Sequence, residues 1–348
     1  MFDLRGRSKS ILARTVYHSG LFTARLARVR KDRFLALMYH RVIPRNEGGR
    51  FLQPGMYVEP ETLDLHLCFL KRHFEILPVS TMVLPDMSQR MVHLEKRACY
   101  LTFDDGWSDF YRYAFPLLVK HQVPAVVFLP TGFVGTTNSF WTDTFTSILE
   151  TLVAQGRFDE LRRYVKFLLP QEYTDSLATT PEQFLERVIN TLKTVHTGRI
   201  TQFLKTLGRH FNISQMAARR DFVSWEQVEE MRSSGLVTFG SHTVSHRLLT
   251  TLSEDEIGME LRVSKQQLLE NGAVENGQVS FCYPNGNYNK SALRQLLAED
   301  YSFAFTTSSG WNSPDTPVFE LKRVGLHQDV SHSKELLAYR IYSALSVQ

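Results

Sequence analysis

Cysteine is scarce. The 348-residue chain has three, Cys68, Cys99 and Cys282, an odd count with no C-x-x-C pair. That excludes a disulfide framework as the source of the fold and predicts a reducing, cytoplasmic compartment. Long apolar runs are also missing. No stretch approaches the roughly 18 residues a spanning helix needs, and arginines interrupt every signal-like segment near the start, so neither a spanning helix nor a secretory leader is expected. Neither G-x-G-x-x-G, G-x-x-x-x-G-K-[ST] nor G-x-S-x-G occurs, which removes the sequence grounds for a dinucleotide, a phosphate-binding loop or a serine hydrolase. Repeats and low-complexity tracts are absent, so a solenoid or a disordered chain is not indicated.

Positive charge is concentrated. The first 33 residues hold nine Lys or Arg against two Asp, a net of +7, while the whole chain carries +4, leaving −3 for the remainder. On a helical projection Ile11, Leu12, Val16, Phe22, Leu26 and Val29 share one face with arginines at its flanks. Residues 1–33 therefore read as a basic amphipathic segment, and residues 5–33 as able to touch an anionic membrane from its inner face. The competing reading is a helix packed on the body of the protein with solvated arginines. No nucleic-acid-binding motif accompanies the charge, so nucleic acid is not an expected partner.

Three apolar runs end in polar strings. Leu101–Gly106 reads LTFDDG, Ser241–His246 reads SHTVSH, and Ser280–Tyr288 reads SFCYPNGNY. Asp104 and Asp105 fall where a buried strand ends, with side chains that diverge. His242 and His246, spaced i, i+4, would share a face of one helical turn. Asp105, His242 and His246 would offer a divalent cation three ligands and leave a position open, the pattern of a catalytic zinc site. Each string alone has a bland reading, a Gly turn or a solvated histidine pair; their joint occurrence points to chemistry at the C-terminal ends of barrel strands.

These strings, in this order, resemble the polysaccharide deacetylase family, carbohydrate esterase family 4, over Met38 to about Asp329. The resemblance implies a distorted, incomplete (β/α) barrel and metal-dependent removal of N-acetyl groups from amino sugars. It implies Asp104 as general base, Asp105, His242 and His246 as metal ligands, and the backbone N–H of Asn285 as an oxyanion donor. The expected metal is Zn2+, with Co2+, Ni2+ or Fe2+ able to use the same ligands. One position departs from the pattern: the second residue of the third motif is commonly Arg in the family and is Cys282 here. A thiol cannot supply forked, charged hydrogen bonds. Arg323, in FELKRVGL, is a candidate substitute; an ordinary strand-edge arginine is the competing reading. Two histidines compete to protonate the departing amine. His40 ends FLALMYH, and its YHRV string resembles the opening of a deacetylase subgroup; His327, in VGLH, is similar to the family's late leucine-histidine motif. His40 is preferred.

The pattern predicts an α/β chain with about seven strands, near 34–39, 99–104, 124–129, 236–240, 279–283, 301–306 and 318–324. Helices are expected over 60–74, 108–121, 254–271 and 289–299. Residues 34–348 would form the barrel, with a helical insertion over about 139–224 containing helical patterns at 142–155, 181–195 and 200–211. Aromatic faces can stack on sugar rings, so Trp107 is a candidate for substrate binding, with Tyr283 and Pro284 of the third motif and Arg323 beside it; Trp141 stays open. The expected substrate is an N-acetylated carbohydrate, a surface polysaccharide or its lipid-linked precursor. The alternatives are another non-peptide C–N bond, such as a sugar formamide or a small cyclic amide, and a non-catalytic sugar-binding scaffold.

Overall fold

A computed structural model describes residues 4–47, 55–83, 87–169, 180–193, 195–213, 221–274 and 278–345, with side chains of 4–8, 87, 88 and 90 outside the description. The expected insertion over 139–224 therefore runs partly through residues outside it. The described residues form two compact units, one built from residues up to 47, from 55 to 135 and from 222 onward, the other from residues within 136–221.

The first unit begins with α1 (Leu4–His18) and α2 (Leu21–Arg28), then β1 (Phe34–Tyr39), the short pair β2 (Arg41–Val42) and β3 (Tyr57–Val58), and α3 (Pro60–His73). It continues with β4 (Phe74–Ile76), α4 (Met87–His93), β5 (Arg97–Phe103), α5 (Phe115–His121) and β6 (Ala125–Leu129). The second unit supplies α6 (Trp141–Ala154), α7 (Phe158–Leu168), α8 (Pro181–Leu192) and α9 (Thr197–His210), which bury their own core around Phe145, Leu149, Phe184 and Leu207. The chain then returns with α10 (Trp225–Ser233), β7 (Val237–Ser241), α11 (Glu254–Glu270), β8 (Ser280–Cys282), α12 (Lys290–Ala298), β9 (Phe303–Phe305), β10 (Val324–Gly325), α13 (Gln328–Ser331) and α14 (Lys334–Ala344).

All pairings in the main sheet are parallel, in the order β10-β1-β5-β6-β7-β8-β9, with β4 added beside the start of β5. The seven-strand path curls into an incomplete (β/α) barrel with helices outside. Because both faces are covered, its strands read as near-continuous apolar runs. Period-two alternation still sorts them. Phe34, Ala36, Ala98, Tyr100, Phe128, Cys282 and Phe305 pack together inside the curl. Leu35, Leu37, Cys99, Leu101, Phe103, Phe281 and Tyr283 pack outward against the helices. The same parity carries His40, Asp104, His242 and Arg323 to the inner face.

Helix boundaries follow local chemistry. Ser224 with Gln227 and Ser253 with Glu256 form capping boxes that start α10 and α11. Pro181 sits in the first turn of α8 behind the Thr180 cap. Two expectations change. The run 318–324 is strand only at its last residue, Val324, which opens β10; before it Leu321 makes only an isolated bridge to Phe305. The pattern over 108–121 divides into a π-helical turn over Phe110–Ala114 and then α5, with Pro116 near the start of the latter.

The N-terminal segment belongs to the core. Val16, Phe22, Leu26 and Val29 are buried in the main cluster, and Phe22 lies against Phe69 at 5.5 Å. Arg97 donates to the carbonyls of Ala27 and Val29. Ile11 and Leu12, expected on the same face, are instead exposed, because α1 turns Ala13 and Val16 inward; the joint at Ser19–Gly20 then sets the face of α2 separately.

Candidate active site

Register brings the strand ends together. Tyr39 pairs with Phe103, Leu129 with Ser241, and Ser241 with Phe281. The residues that follow these pairs, His40, Asp104 and His242, therefore leave the sheet at one level, with Cys282 close behind.

At Asp105 and Gly106 the backbone turns sharply, with φ of 76° and 65°. That turn sends the two carboxylates apart. Asp104, 3% exposed, faces Arg323, which is fully buried. The guanidinium grips it with a fork: Nη1 to Oδ1 at 2.7 Å and Nη2 to Oδ2 at 2.8 Å. Arg323 also donates to the Thr306 carbonyl, the Thr102 hydroxyl and the Cys282 sulfur. Burial alone would raise the Asp104 pKa; the charge and hydrogen bonds of Arg323 outweigh it and hold the carboxyl below its usual range. The forked donor absent from position 282 thus arrives from the residue just before β10, placed at the Cys282 thiol, which itself lies 3.5 Å from Asp104. Arg323 is neither an edge arginine nor, being buried, a group that touches substrate.

Asp105 faces the histidines. Its Oδ1 is 3.5 Å from His242 Nε2 and 3.2 Å from His246 Nε2, and the three ligand atoms all lie within 4.8 Å of one another. Burial opposes ionisation of Asp105, while the two imidazoles drive its pKa well below the usual value. His242 Nδ1–H donates to the Cys282 carbonyl at 2.7 Å, which turns Nε2 toward Asp105. Trp107 Nε1–H donates to the other Asp105 oxygen at 3.0 Å. Two imidazole nitrogens and one carboxylate oxygen, each oriented by an outer partner, fit a divalent transition ion with a position left open. A second group, Asp64, Cys68 and His121, has metal-capable atoms at a similar spacing, but its carboxylate already binds the Lys120 ammonium.

The helical turn expected for His242–His246 is not there. Residues 242–246 form a loop with Thr243 and His246 at φ of 68° and 56°. Glu260 of α11 holds it: one carboxylate oxygen accepts the N–H groups of Val244 at 2.8 Å and Ser245 at 2.9 Å, and the other accepts the Ser245 hydroxyl. The imidazole rings still come within 4.8 Å of each other.

Of the residues expected to meet sugar, all are buried. Trp107 is 4% exposed, with Phe222 stacked on the ring at 4.7 Å and the Arg41 guanidinium over it at 4.2 Å. Its ring is therefore packed against protein, and its indole N–H serves Asp105. Arg41 is fixed in turn by Asp109, which also accepts the Val42 N–H. Tyr283 lies on the outer parity of β8 and donates its hydroxyl to the Phe319 carbonyl; Pro284 is also buried. Asn285 is exposed in the turn after β8 and adopts φ of 55°. His40 Nε2 is 3.9 Å from Asp104. His327, two residues beyond β10, meets Asp329 at 3.3 Å, and burial lowers its pKa. Glu260, Arg41 and Asp109 are the participants that sequence reasoning missed. Asp109 lies three residues past the DDG turn and could have been noticed, whereas Glu260 has no local signal.

The polysaccharide deacetylase family matches residues 92–160 and 178–304, more than half of the chain. A relative from Bacillus subtilis strain 168, YxkH, named provisionally as a polysaccharide deacetylase, is 28% identical over 123 residues. That stretch is 35% of this chain and 43% of the relative, so the match spans less than half of the relative's length. Among solved structures, the Streptococcus pyogenes deacetylase PplD in complex with acetate superposes with a TM-score of 0.54 at 20% identity, covering 88% of this chain and 96% of that one. IcaB from Ammonifex degensii gives 0.53 at 19% identity over 88% and 97%. A de-N-acetylase from Aggregatibacter actinomycetemcomitans gives 0.54 at 16% identity over 89% and 100%. At these identities the structural likeness speaks for the fold.

Proposed function

This chain belongs to the polysaccharide deacetylase family, hydrolases of carbon–nitrogen bonds, and on that premise we propose that it removes N-acetyl groups from amino sugars of a polysaccharide or its lipid-linked precursor, releasing acetate. The observation that carries the reading is the split pair: Asp104 gripped by Arg323, and Asp105 facing two imidazoles. Neighbouring carboxylates in such different surroundings suit two different tasks.

Asp105, His242 and His246 would hold a divalent ion, most consistent with Zn2+. When bound, such an ion polarises an amide carbonyl and lowers the pKa of a water toward neutrality. Asp104, ionised and fixed by Arg323, accepts a proton from the attacking water. The Asn285 N–H donates to the oxygen on which negative charge develops. His40 delivers a proton to the departing nitrogen as the C–N bond breaks, so the products are acetate and a free amino sugar. Trp107, Arg41 and Glu260 do not touch substrate in this scheme; they aim the ligands.

Acetate release from a panel of free, polymeric and lipid-linked N-acetylhexosamines tests the proposal, with thoroughly chelated protein as the control. Acetate from at least one class, lost on chelation and restored by metal, is expected. Release of formate or ammonia in its place would move the chain to another C–N bond, and full activity after chelation would overturn the metal assignment.

A cytoplasmic location is part of the same proposal and draws on three unpaired thiols. So is peripheral contact of residues 5–33 with an anionic membrane. No described helix is long and apolar enough to cross a bilayer, and the contact must be made by side chains that the fold leaves exposed.

A further inference from the structure

Away from the active site, the described residues bring a second set of metal-capable side chains together. On α3, Asp64 and Cys68 stand one helical turn apart, so they share the flank beside the buried stripe of Leu63, His66, Leu67 and Leu70. Helix α5 packs alongside and ends at His121, where Gln122 takes a left-handed φ of 52° and turns the chain toward β6. Lys71 of α3 donates to the His121 carbonyl at 2.6 Å, which pins that helix end to α3. The His121 side chain is 12% exposed, with Nε2 2.7 Å from Asp64 Oδ1. One ligand atom each from Asp64, Cys68 and His121 falls within 4.8 Å of the other two.

Carboxylate, thiol and imidazole form a borderline-soft donor set, suited to zinc rather than to Mg2+ or Ca2+. Ligands about 2.0–2.3 Å from a tetrahedral ion stand roughly 3.3–3.6 Å apart, so closing on one asks for about 1 Å of side-chain movement. Asp64 Oδ1 also accepts from the Lys120 ammonium at 2.7 Å. That contact does not bar an ion. Lys120 is 60% exposed, its ammonium can turn into water, and losing such an exposed pair lowers affinity by no more than about fivefold. We propose that Asp64, Cys68 and His121 bind a divalent transition ion of the zinc class, with water completing its coordination. The Cys68 thiol gives its proton to solvent as the thiolate–metal bond forms. The inference does not depend on the deacetylase chemistry.

Position gives it a consequence. The ion joins α3 to the end of α5, ligands up to 57 residues apart in sequence, and the unfolded chain does not hold them together. Binding therefore favours the folded state, by about 100-fold when free metal stands at 100 times its dissociation constant. At the catalytic position Trp107 and the Cys282 carbonyl aim the ligands. Among the described residues nothing comparable aims the Cys68 thiol, and Lys120 must be displaced, so this second position fills after the first, from added metal.

The test is Co2+ titration of the full chain under a non-thiol reductant, in wild type and in a His242→Ala, His246→Ala background that lacks the catalytic histidines. Cobalt bonded to thiolate gives a sulfur-to-metal charge-transfer band that an Asp-His-His site does not produce. About one equivalent of that band is expected in both proteins, displaced by Zn2+ and not by Mg2+. Cys68→Ser, at an exposed position, should abolish it. Asp64→Asn and His121→Gln should each weaken binding by about tenfold or more, since even outer partners of metal ligands account for that much. Lys120→Gln should tighten it, by up to about fivefold. In the background protein, saturating Zn2+ should raise Tm by about a few degrees, and adding Cys68→Ser should remove the rise. Should His121→Gln misfold by circular dichroism, Asp64→Asn carries the comparison. Absence of the band, or a band that survives Cys68→Ser, would overturn the proposal. So would binding that needs Cys68 but is untouched by Asp64→Asn and His121→Gln, which would mean a lone surface thiol. A band without a rise in Tm would overturn the tie between the helices. Turnover on a soluble acetamido sugar should match wild type in Cys68→Ser; a chain that binds cobalt through Cys68 but deacetylates nothing would leave this site standing and overturn the deacetylase reading.

Discussion

Asp104 and Asp105 are neighbours in sequence with different surroundings, and single substitutions should separate the roles proposed for them. Asp104→Asn keeps the shape that Arg323 grips but cannot take a proton; turnover should fall by roughly 10²–10⁴ with metal content unchanged. His242→Ala or His246→Ala should instead lose most of the bound metal and nearly all turnover. Metal analysis beside initial rates decides, and metal loss in Asp104→Asn with retention in Asp105→Asn would reverse the two roles. The proton donor is tested the same way. His40 stands 3.9 Å from Asp104, while His327 faces the exposed carboxylate of Asp329. His40→Ala should therefore depress kcat well beyond His327→Ala, with metal content unchanged in both. Equal, mild losses would mean that neither histidine protonates the leaving nitrogen.

At the scale of elements, the proposed metal ligand His246 sits on a loop whose shape comes from elsewhere. Thr243 and His246 adopt left-handed backbone, and Glu260 of α11 gathers the N–H groups between them. Glu260→Gln keeps one acceptor oxygen but loses the charge and the second acceptor, so the loop should loosen around His246. Outer partners of metal ligands commonly account for 10–100-fold in affinity, and a loss in that range is expected for metal titrated calorimetrically into folded Glu260→Gln protein. Unchanged affinity would show that the loop holds its conformation without the carboxylate.

For the whole molecule, two features outside the site bear on stability. His66 of α3 is buried, with Tyr39 donating its hydroxyl to Nδ1 and Nε2–H donating to the Ser331 carbonyl; burial pulls its pKa down to about 4. In the unfolded chain the value is near 6.5, so below that pH the unfolded state binds a proton the folded state refuses. Stability is then full above about pH 6.5, falls as pH drops, and levels off near 4, with a loss of about 2 kcal/mol by pH 5. Urea midpoints at pH 7.5 and 5 should show this loss in wild type and a smaller one in His66→Gln. Truncation of residues 1–33 is the second test. Val16, Phe22, Leu26 and Val29 each bury apolar area, at roughly 1.5–3 kcal/mol per fully buried side chain. The shortened chain should melt roughly ten degrees lower or more, read by scanning fluorimetry. An unchanged melting temperature would mean that α1 and α2 add little to the core.

Much of this was written in local sequence. Apolar runs of strand length ended in His40, Asp104 and Ser241–His242, and period-two alternation already placed His40, Asp104, His242 and Cys282 on one face, because parity depends only on position along a strand. The same parity sets Tyr283 on the other face, away from any substrate at the strand ends. Other features could not be read locally. Arg323 is 219 residues from Asp104, and only the neighbour order β10-β1-β5 brings its fork to the carboxylate that Cys282 leaves without one. Glu260 lies 16 residues from Val244 and meets it only because α11 packs against β7. The i, i+4 spacing of His242 and His246 suits a helix, but here the contacts of Glu260 sustain a loop instead. Sequence determined which side chains face inward, since that follows from the covalent geometry of each strand; tertiary structure decided which of them meet, since strand order and helix packing join residues that the chain holds far apart.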